Sequence, residues 1–239
     1  MNNYFKSTFN FSDHSEVNFY FEKDQIGISD NHRMGYWFFL NKIHHGLTLI
    51  HIDTHEDCSY FRNCDRNEML KLEKSPNLEQ FIEYRYYNKN RNESCSPIRY
   101  GNWIPAINDL HPCFFKRVLL ICHNSVGPMI LKDLPYVEII CEKMLSSLIE
   151  KDSSILSISF DVDYYFKSEQ DKYLLRKEFS DPLQHFHRFL KLVKSNSIPL
   201  FIALSPQCCG GWGNVLPFIK TIDDVFKYSL RKNVKSRLK

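Results

Sequence analysis

The first long apolar run, LTLIHID at 47–53, ends in polar residues spaced two apart: Asp53, His55 and Asp57 of the stretch IHIDTHEDC. Short apolar runs bounded in this way read as buried strands. Further strand patterns occupy VNFYF at 17–21, RVLLICHN at 117–124, ILSISFDVDYY at 155–165 and PLFIALSP at 199–206. Helical spacing is predicted over 35–43, over 135–150 with Pro135 at its start, over 182–194 and over 217–232. GISDNH at 27–32 reads as a loop, and the polar stretch 63–96 as helical pieces and surface loops outside the core. Strands alternating with helices predict an α/β chain with a mostly parallel central sheet, and such sheets gather ligands at the carboxyl ends of their strands.

Composition narrows the picture. The 239 residues, 43% apolar, fit one packed domain spanning 1–239. A net charge of +3 is too small to point to nucleic acid. The eight cysteines form no CxxC pair, and MNNYFKSTFN lacks the apolar segment of an export signal, so a cytoplasmic protein with free thiols is expected. Apolar runs fall well short of the roughly 20 residues that span a bilayer, so no membrane association is expected.

The candidate chemistry sits at two strand ends. In an extended chain side chains two apart share a face, so Asp53, His55 and Asp57 converge, as do Asp161 and Asp163. Carboxylates gathered beside apolar strands require a cation or strong donors. Two divalent ions could share Asp53 and Asp161, with His55 and Asp163 on one and Asp57 on the other. His32, in SDNHRMG, is the best upstream candidate for the remaining nitrogen ligand. Oxygen-rich ligation with sparse imidazole suits manganese, and no cysteine is needed.

Asp53-Thr54-His55-Glu56-Asp57 and Ser159-Phe160-Asp161-Val162-Asp163 resemble the two signatures of the arginase, agmatinase and related ureohydrolase family. Asn31-His32-Arg33 looks like a diverged form of the family's upstream element. The short chain, the aromatic region after His32 and GNWIPA at 101–106 look most like the peptide arginase branch, which converts arginine to ornithine within ribosomally made precursor peptides. The resemblance implies a three-layer α/β/α fold and two Mn(2+) ions per chain. It implies one ion held by His32, Asp53, Asp57 and Asp161 and the other by Asp53, His55, Asp161 and Asp163. Asp57 would also be the catalytic group that orients the attacking water, and an arginine-containing precursor peptide would be the partner.

The pattern departs from the family in two places. No histidine occurs between His55 and His111, where the family often carries a proton shuttle, leaving His111, His123, His185 and His187 as replacements. SPQCCGGW at 205–212 lacks the acid that arginases use to grip the guanidinium. Candidate substrate contacts are therefore Glu56, Asn102, Gln207, Gly210 and Gly211, the glycine pair through backbone carbonyls beside a tight turn. Trp103 could line the entrance, and Cys208 or Cys209 could act as a nucleophile. Residues 77–100 and the basic end RKNVKSRLK could contact a peptide. Other readings are a ureohydrolase of free arginine or agmatine, a metallophosphoesterase, and a peptide-binding protein without catalysis.

Overall fold

The computed structural model describes residues 3–9, 16–42, 46–72, 77–89, 92–123, 136–152, 156–170 and 172–238. The parts of the expected elements at 43, 73–76, 90–91, 124, 135 and 155, and the last residue of the basic end, lie outside them. The strands are β1 (Tyr4–Phe5), β2 (Phe19–Lys23), β3 (Ile26–Ser29), β4 (Leu47–Asp53), β5 (Tyr86–Asn88) and β6 (Glu93–Cys95). They continue as β7 (Phe115–Cys122), β8 (Val137–Ile139), β9 (Leu156–Asp161), β10 (Phe166–Glu169), β11 (Lys172–Leu175) and β12 (Leu200–Ala203). Among the described residues, eight of them form one sheet in the order β1-β2-β3-β12-β9-β4-β7-β8. From β3 to β8 all neighbours are parallel, and β2 runs antiparallel to both β3 and β1. β5–β6 and β10–β11 are separate antiparallel hairpins.

Alternation along the central strands assigns each residue to a face. Leu49 of β4, Val118 and Leu120 of β7, and Phe201 and Ala203 of β12 pack beneath helices Met34–Lys42 and Trp103–Leu110. Ile50 and Ile52, Ile158 and Phe160, and Leu200 and Ile202 face helices Leu145–Asp152, Pro182–Ser195, Trp212–Phe226 and Leu230–Lys235. Helices on both sides of a largely parallel sheet make three α/β/α layers, the expected fold class.

The chain leaves β4 toward β7 on one side and returns through β9 and β12 on the other. The strand order therefore reverses between β4 and β9, where a crevice opens at the carboxyl ends of a doubly wound sheet.

Several local expectations are corrected. β3 takes up part of the expected 27–32 loop, because Ile26 and Ile28 are buried in the core. Within the described part of 135–150, Val137–Ile139 form the short edge strand β8, Glu142–Met144 a 3₁₀ turn, and α-helix begins only at Leu145. The stretch 63–96 is not all surface. Helices Asn63–Leu72 and Leu78–Glu83 bury Met69, Phe81 and Ile82, and a reciprocal Asn77–Gln80 capping box starts the second. The final helix begins at Trp212 and breaks after Phe226, where Lys227 (φ 63°) and Ser229 (φ 60°) turn left-handed. Asp223 then accepts the amides of Leu230 (2.7 Å) and Arg231 (2.8 Å), so the first helix caps the second. The basic end is docked: Val234 is buried and the Arg237 carbonyl accepts the Phe9 amide at 2.8 Å.

Candidate metal centre

β4 and β9 stop at Asp53 and Asp161, so the acids beyond them are not aimed by strand alternation. After Asp53 the chain bends. The Asp53 carboxylate accepts the His55 amide at 2.8 Å, and Asp57 is held at φ 51°, a left-handed conformation that Asp tolerates better than most residues. After Asp161 a 3₁₀ turn, Val162–Tyr165, brings Asp163 back. The Asp161 carboxylate caps it by accepting the Asp163 amide at 3.0 Å. Convergence comes from two capped turns.

His32 reaches the same point from the loop after β3. Its Nδ1 lies 2.8 Å from Asp57 Oδ2, 3.0 Å from Asp53 Oδ2 and 3.2 Å from Asp161 Oδ2. A single N–H cannot serve three carboxylates at once, whereas a nitrogen lone pair and three carboxylate oxygens around one point are a ligand set for a divalent cation. The other ring nitrogen, Nε2, lies 2.8 Å from Ser159 Oγ. Without a cation, and against burial, the neighbouring acids hold His32 protonated well above the usual imidazole range; with one bound, Nε2–H donating to that hydroxyl would leave the Nδ1 lone pair for the ion.

A second group forms beside the first. His55 Nδ1 lies 3.2 Å from Asp163 Oδ2 and 3.5 Å from Asp53 Oδ1. Asp53 thus directs Oδ2 to the first group and Oδ1 to the second. Asp161 directs Oδ2 to the first, where Ser205 donates to it at 2.6 Å. Its Oδ1, engaged by the Asp163 amide, keeps a second lone pair. Asp57 Oδ2 accepts the indole N–H of buried Trp103 at 2.9 Å, and Thr54 donates its amide to Asp163 Oδ1 at 3.2 Å.

His51 escaped the sequence reading although alternation along β4 puts it on the Asp53 face. It joins the first group with Nε2 3.4 Å from Asp53 Oδ2. It is fully buried, burial pushes it down to about 3, and neither ring nitrogen has a hydrogen-bond partner among the described residues. An orphaned neutral imidazole beside gathered carboxylates fits a cation at this point. The protons tell the same story. Burial and neighbouring acids push Asp161 up to about 7 and Asp163 up to about 6. Burial and Asp57 press Asp53 upward, but hydrogen bonds from His32 and His55 leave it below its ordinary value. His55 rises to about 11, chiefly through its hydrogen bond to Asp163. Without metal the cluster is balanced by protons, and divalent ions would replace them. The two groups, sharing Asp53, form a site capable of holding two metal ions.

Above this floor lies a cavity of about 580 Å³, walled by Tyr100, the β10–β11 hairpin through Lys167 and Tyr173, Arg176, Gln207 and Cys208. Of the expected substrate contacts, Gln207 lines it, while Glu56, Asn102, Gly210 and Gly211 do not. Asn102 is buried in a turn, accepting the Arg99 amide at 2.7 Å and donating to the Pro97 carbonyl. Gly210 and Gly211 (φ 79° and 106°) carry the chain into the helix from Trp212, and the Gly211 amide bonds to the Pro206 carbonyl. Trp103 is a buried support for Asp57 and not an entrance residue.

None of the four candidate shuttle histidines lines the cavity. His111 stands beside Phe114, His123 stacks on Tyr164, and His185 bonds Tyr165 and Glu142. His187 lies on the helix Pro182–Ser195. Burial and the site carboxylates push the Cys208 and Cys209 thiols upward, which disfavours thiolate nucleophiles. Among the described residues no helix is long and apolar enough to cross a membrane.

No family model matches the chain, and no curated protein matches it. Among solved structures it is similar to proclavaminate amidino hydrolase from Streptomyces clavuligerus, with 11% identity and a TM-score of 0.41 over 88% of this chain. The alignment spans 63% of that protein, less than two thirds of its length.

Proposed function

We propose that the chain is a dinuclear manganese hydrolase that converts arginine side chains of a ribosomally made precursor peptide to ornithine and urea. The observation that carries this reading is the convergence of His32, Asp53, His55, Asp57, Asp161 and Asp163 into two ligand groups that share Asp53. The donors are nitrogen and oxygen only, which favours a borderline-hard ion such as manganese over soft-ligand metals. When bound, such a pair acidifies water and stabilises negative charge next to the electrophile.

The protein's own groups supply the rest. Trp103 pins Asp57, so its carboxylate can orient the water that attacks the guanidinium carbon. Ser205 and the Asp163 amide fix Asp161 from either side, and Ser159 sets the His32 ring. The carbon–nitrogen bond to the side chain then breaks, the ornithine amine takes up a proton as it leaves, and urea is the second product. Tyr100 and the β10–β11 hairpin are among the walls of a cavity of about 580 Å³ over the floor, room enough for an arginine side chain.

The test is mass spectrometry of manganese-loaded protein incubated separately with free arginine, agmatine and arginine-containing peptides. Conversion of arginine to ornithine lowers peptide mass by about 42 Da, the balance of water gained and urea lost. A shift in peptides alone is expected. Turnover of a free guanidino compound alone would move the assignment to a small-molecule ureohydrolase.

A further inference from the structure

The cavity floor is acidic and its rim is cationic. Arg176 and Lys167 both line it. Lys167 is paired with Glu169 on its own hairpin, whereas Arg176 makes no ion pair among the described residues. Its Nη2 reaches Thr54 Oγ1 at 3.5 Å, and its Nε is buried without a hydrogen-bond partner. The Arg176 amide donates to the Tyr165 carbonyl at 2.8 Å, and Thr54 Oγ1 donates to the Asp163 carbonyl at 2.9 Å. Arg176 is therefore anchored to both turns that carry the ligand groups while its fork remains largely unused.

This placement is costly for a purely cationic substrate. Two divalent ions would balance the four carboxylates of Asp53, Asp57, Asp161 and Asp163, so that only an acidified water would face the Arg176 charge and no carboxylate of the floor would be left to offset an incoming cation. A guanidinium entering alone would meet like charge. A substrate that also carries a carboxylate would meet a planar donor fork suited to bidentate pairing.

We infer that Arg176 is a specificity-determining residue that binds a carboxylate of the guanidino substrate. The inference rests on the hydrolase reading of the floor and adds the class of substrate: one with an acid within reach of its guanidinium. That acid is either the α-carboxylate of free arginine or an aspartate or glutamate flanking the processed arginine in a peptide.

The experiment is calorimetric titration of protein whose manganese content has been measured. The ligands are agmatine, free arginine and a set of blocked peptides that walk one aspartate through the two positions on either side of a single arginine, each with an asparagine control. Wild type should bind at least one carboxylate-bearing ligand about tenfold or more tighter than its uncharged counterpart, the scale of a hydrogen bond to a charged group. Preference for arginine over agmatine identifies the α-carboxylate; preference for one aspartate position identifies a peptide acid. Arg176→Met should erase the preference at unchanged manganese content, and Arg176→Lys should retain part of it.

Equal binding of acid and control throughout, no measurable binding of any ligand, or a preference that survives Arg176→Met would overturn the inference. The two readings fail separately. Carboxylate preference without turnover of any guanidino compound would refute the hydrolase and leave the subsite. Turnover without carboxylate preference would do the reverse.

Discussion

The floor of the cavity and its mouth are built differently. On the floor, every ligand group is buried except His55, and each carboxylate has a donor that sets its direction: Trp103 for Asp57, Ser205 for Asp161, Thr54 for Asp163 and the His55 amide for Asp53. The mouth is a two-stranded hairpin with Tyr173, Leu174 and Leu175 exposed, beside a half-used Arg176 and a partly exposed Tyr100. The donors fix the direction of each floor carboxylate, while the exposed side chains of the mouth can be served by solvent. On the proposed reading, chemistry falls to the buried floor and selection to the exposed mouth.

The sharpest way to break that contrast is to remove a floor charge. Asp161→Asn should lower metal affinity by more than the ~10–100-fold typical of outer-shell changes and nearly abolish turnover. Elemental analysis after gel filtration reads the first effect, and unchanged metal content with unchanged activity would reject the role of Asp161. His32→Ala should weaken one of two metals. Retention of both would show that His51, in the same group, is the nitrogen ligand instead.

Next in size are the supports. Ser159→Ala and Trp103→Phe each delete one donor and leave the ligand in place, so metal affinity should fall about 10–100-fold. A loss confined to protein stability with metal affinity intact would make them packing residues only.

These supports also mark what the sequence could reveal. The β4 and β9 runs, their terminal acids and the fold class were legible because buried strands in a parallel sheet read as apolar runs and ligands gather at their ends. For Asp57 and Asp163 a spacing of two suggests one strand face, whereas left-handed backbone at Asp57 and a 3₁₀ turn at Asp163 bring them to the cluster. His51 carried a readable signal, since it alternates with Asp53, yet it was absorbed into the apolar strand. Ser159 and Ser205 carried none, because a serine becomes a support only through residues distant in sequence, 127 positions away for His32 and 44 for Asp161. The β10–β11 hairpin was invisible for a related reason: FKSE and KYLL pair in register around Gln170 (φ 48°), where glycine or asparagine would have announced the turn. β8 was hidden by its shortness, three residues ahead of a helical stretch.

A pH experiment sharpens the comparison further, because the floor carries the acids and histidines whose protons are exchanged around neutral pH. In metal-free protein Asp161 and Asp163 are raised to about 7 and 6, and His55 to about 11. Each binds protons more tightly folded than unfolded, so stability contributed by these groups is greatest at low pH. It is lost as pH rises, from about 4 through 7 for the acids and from about 6.5 upward for the histidine. Asp53 is shifted the other way, but its contribution changes below its ordinary value near 4, outside this window. His51, held down to about 3 by burial, opposes the acids by adding stability as pH rises to about 6.5, so the net fall is steepest above that pH. Metal requires deprotonated ligands, so the metal-loaded protein should follow the opposite slope. The expected result is a Tm that falls from about pH 6.5 to pH 8 without metal and rises with manganese present. Parallel slopes would show that the acids do not hold the ion.

The smallest expected effect lies at the mouth. Gly210 has φ 79°, and a Cβ there would sit 3.1 Å from Tyr173 Cβ and 3.0 Å from Asn214 Nδ2. Asn214 is itself committed to the Cys209 carbonyl at 2.8 Å and has little freedom to withdraw. Gly210→Ala therefore combines left-handed strain with pressure on the hairpin, and should cost about 1–2 kcal/mol, lowering Tm by about 2–8 °C in a chain of this length. Because the strain falls on Tyr173 and not on a ligand, manganese content should hold while KM rises more than kcat falls. If metal content falls instead, the hairpin supports the floor as well as the entrance, and the division between a buried chemical floor and an exposed mouth is wrong.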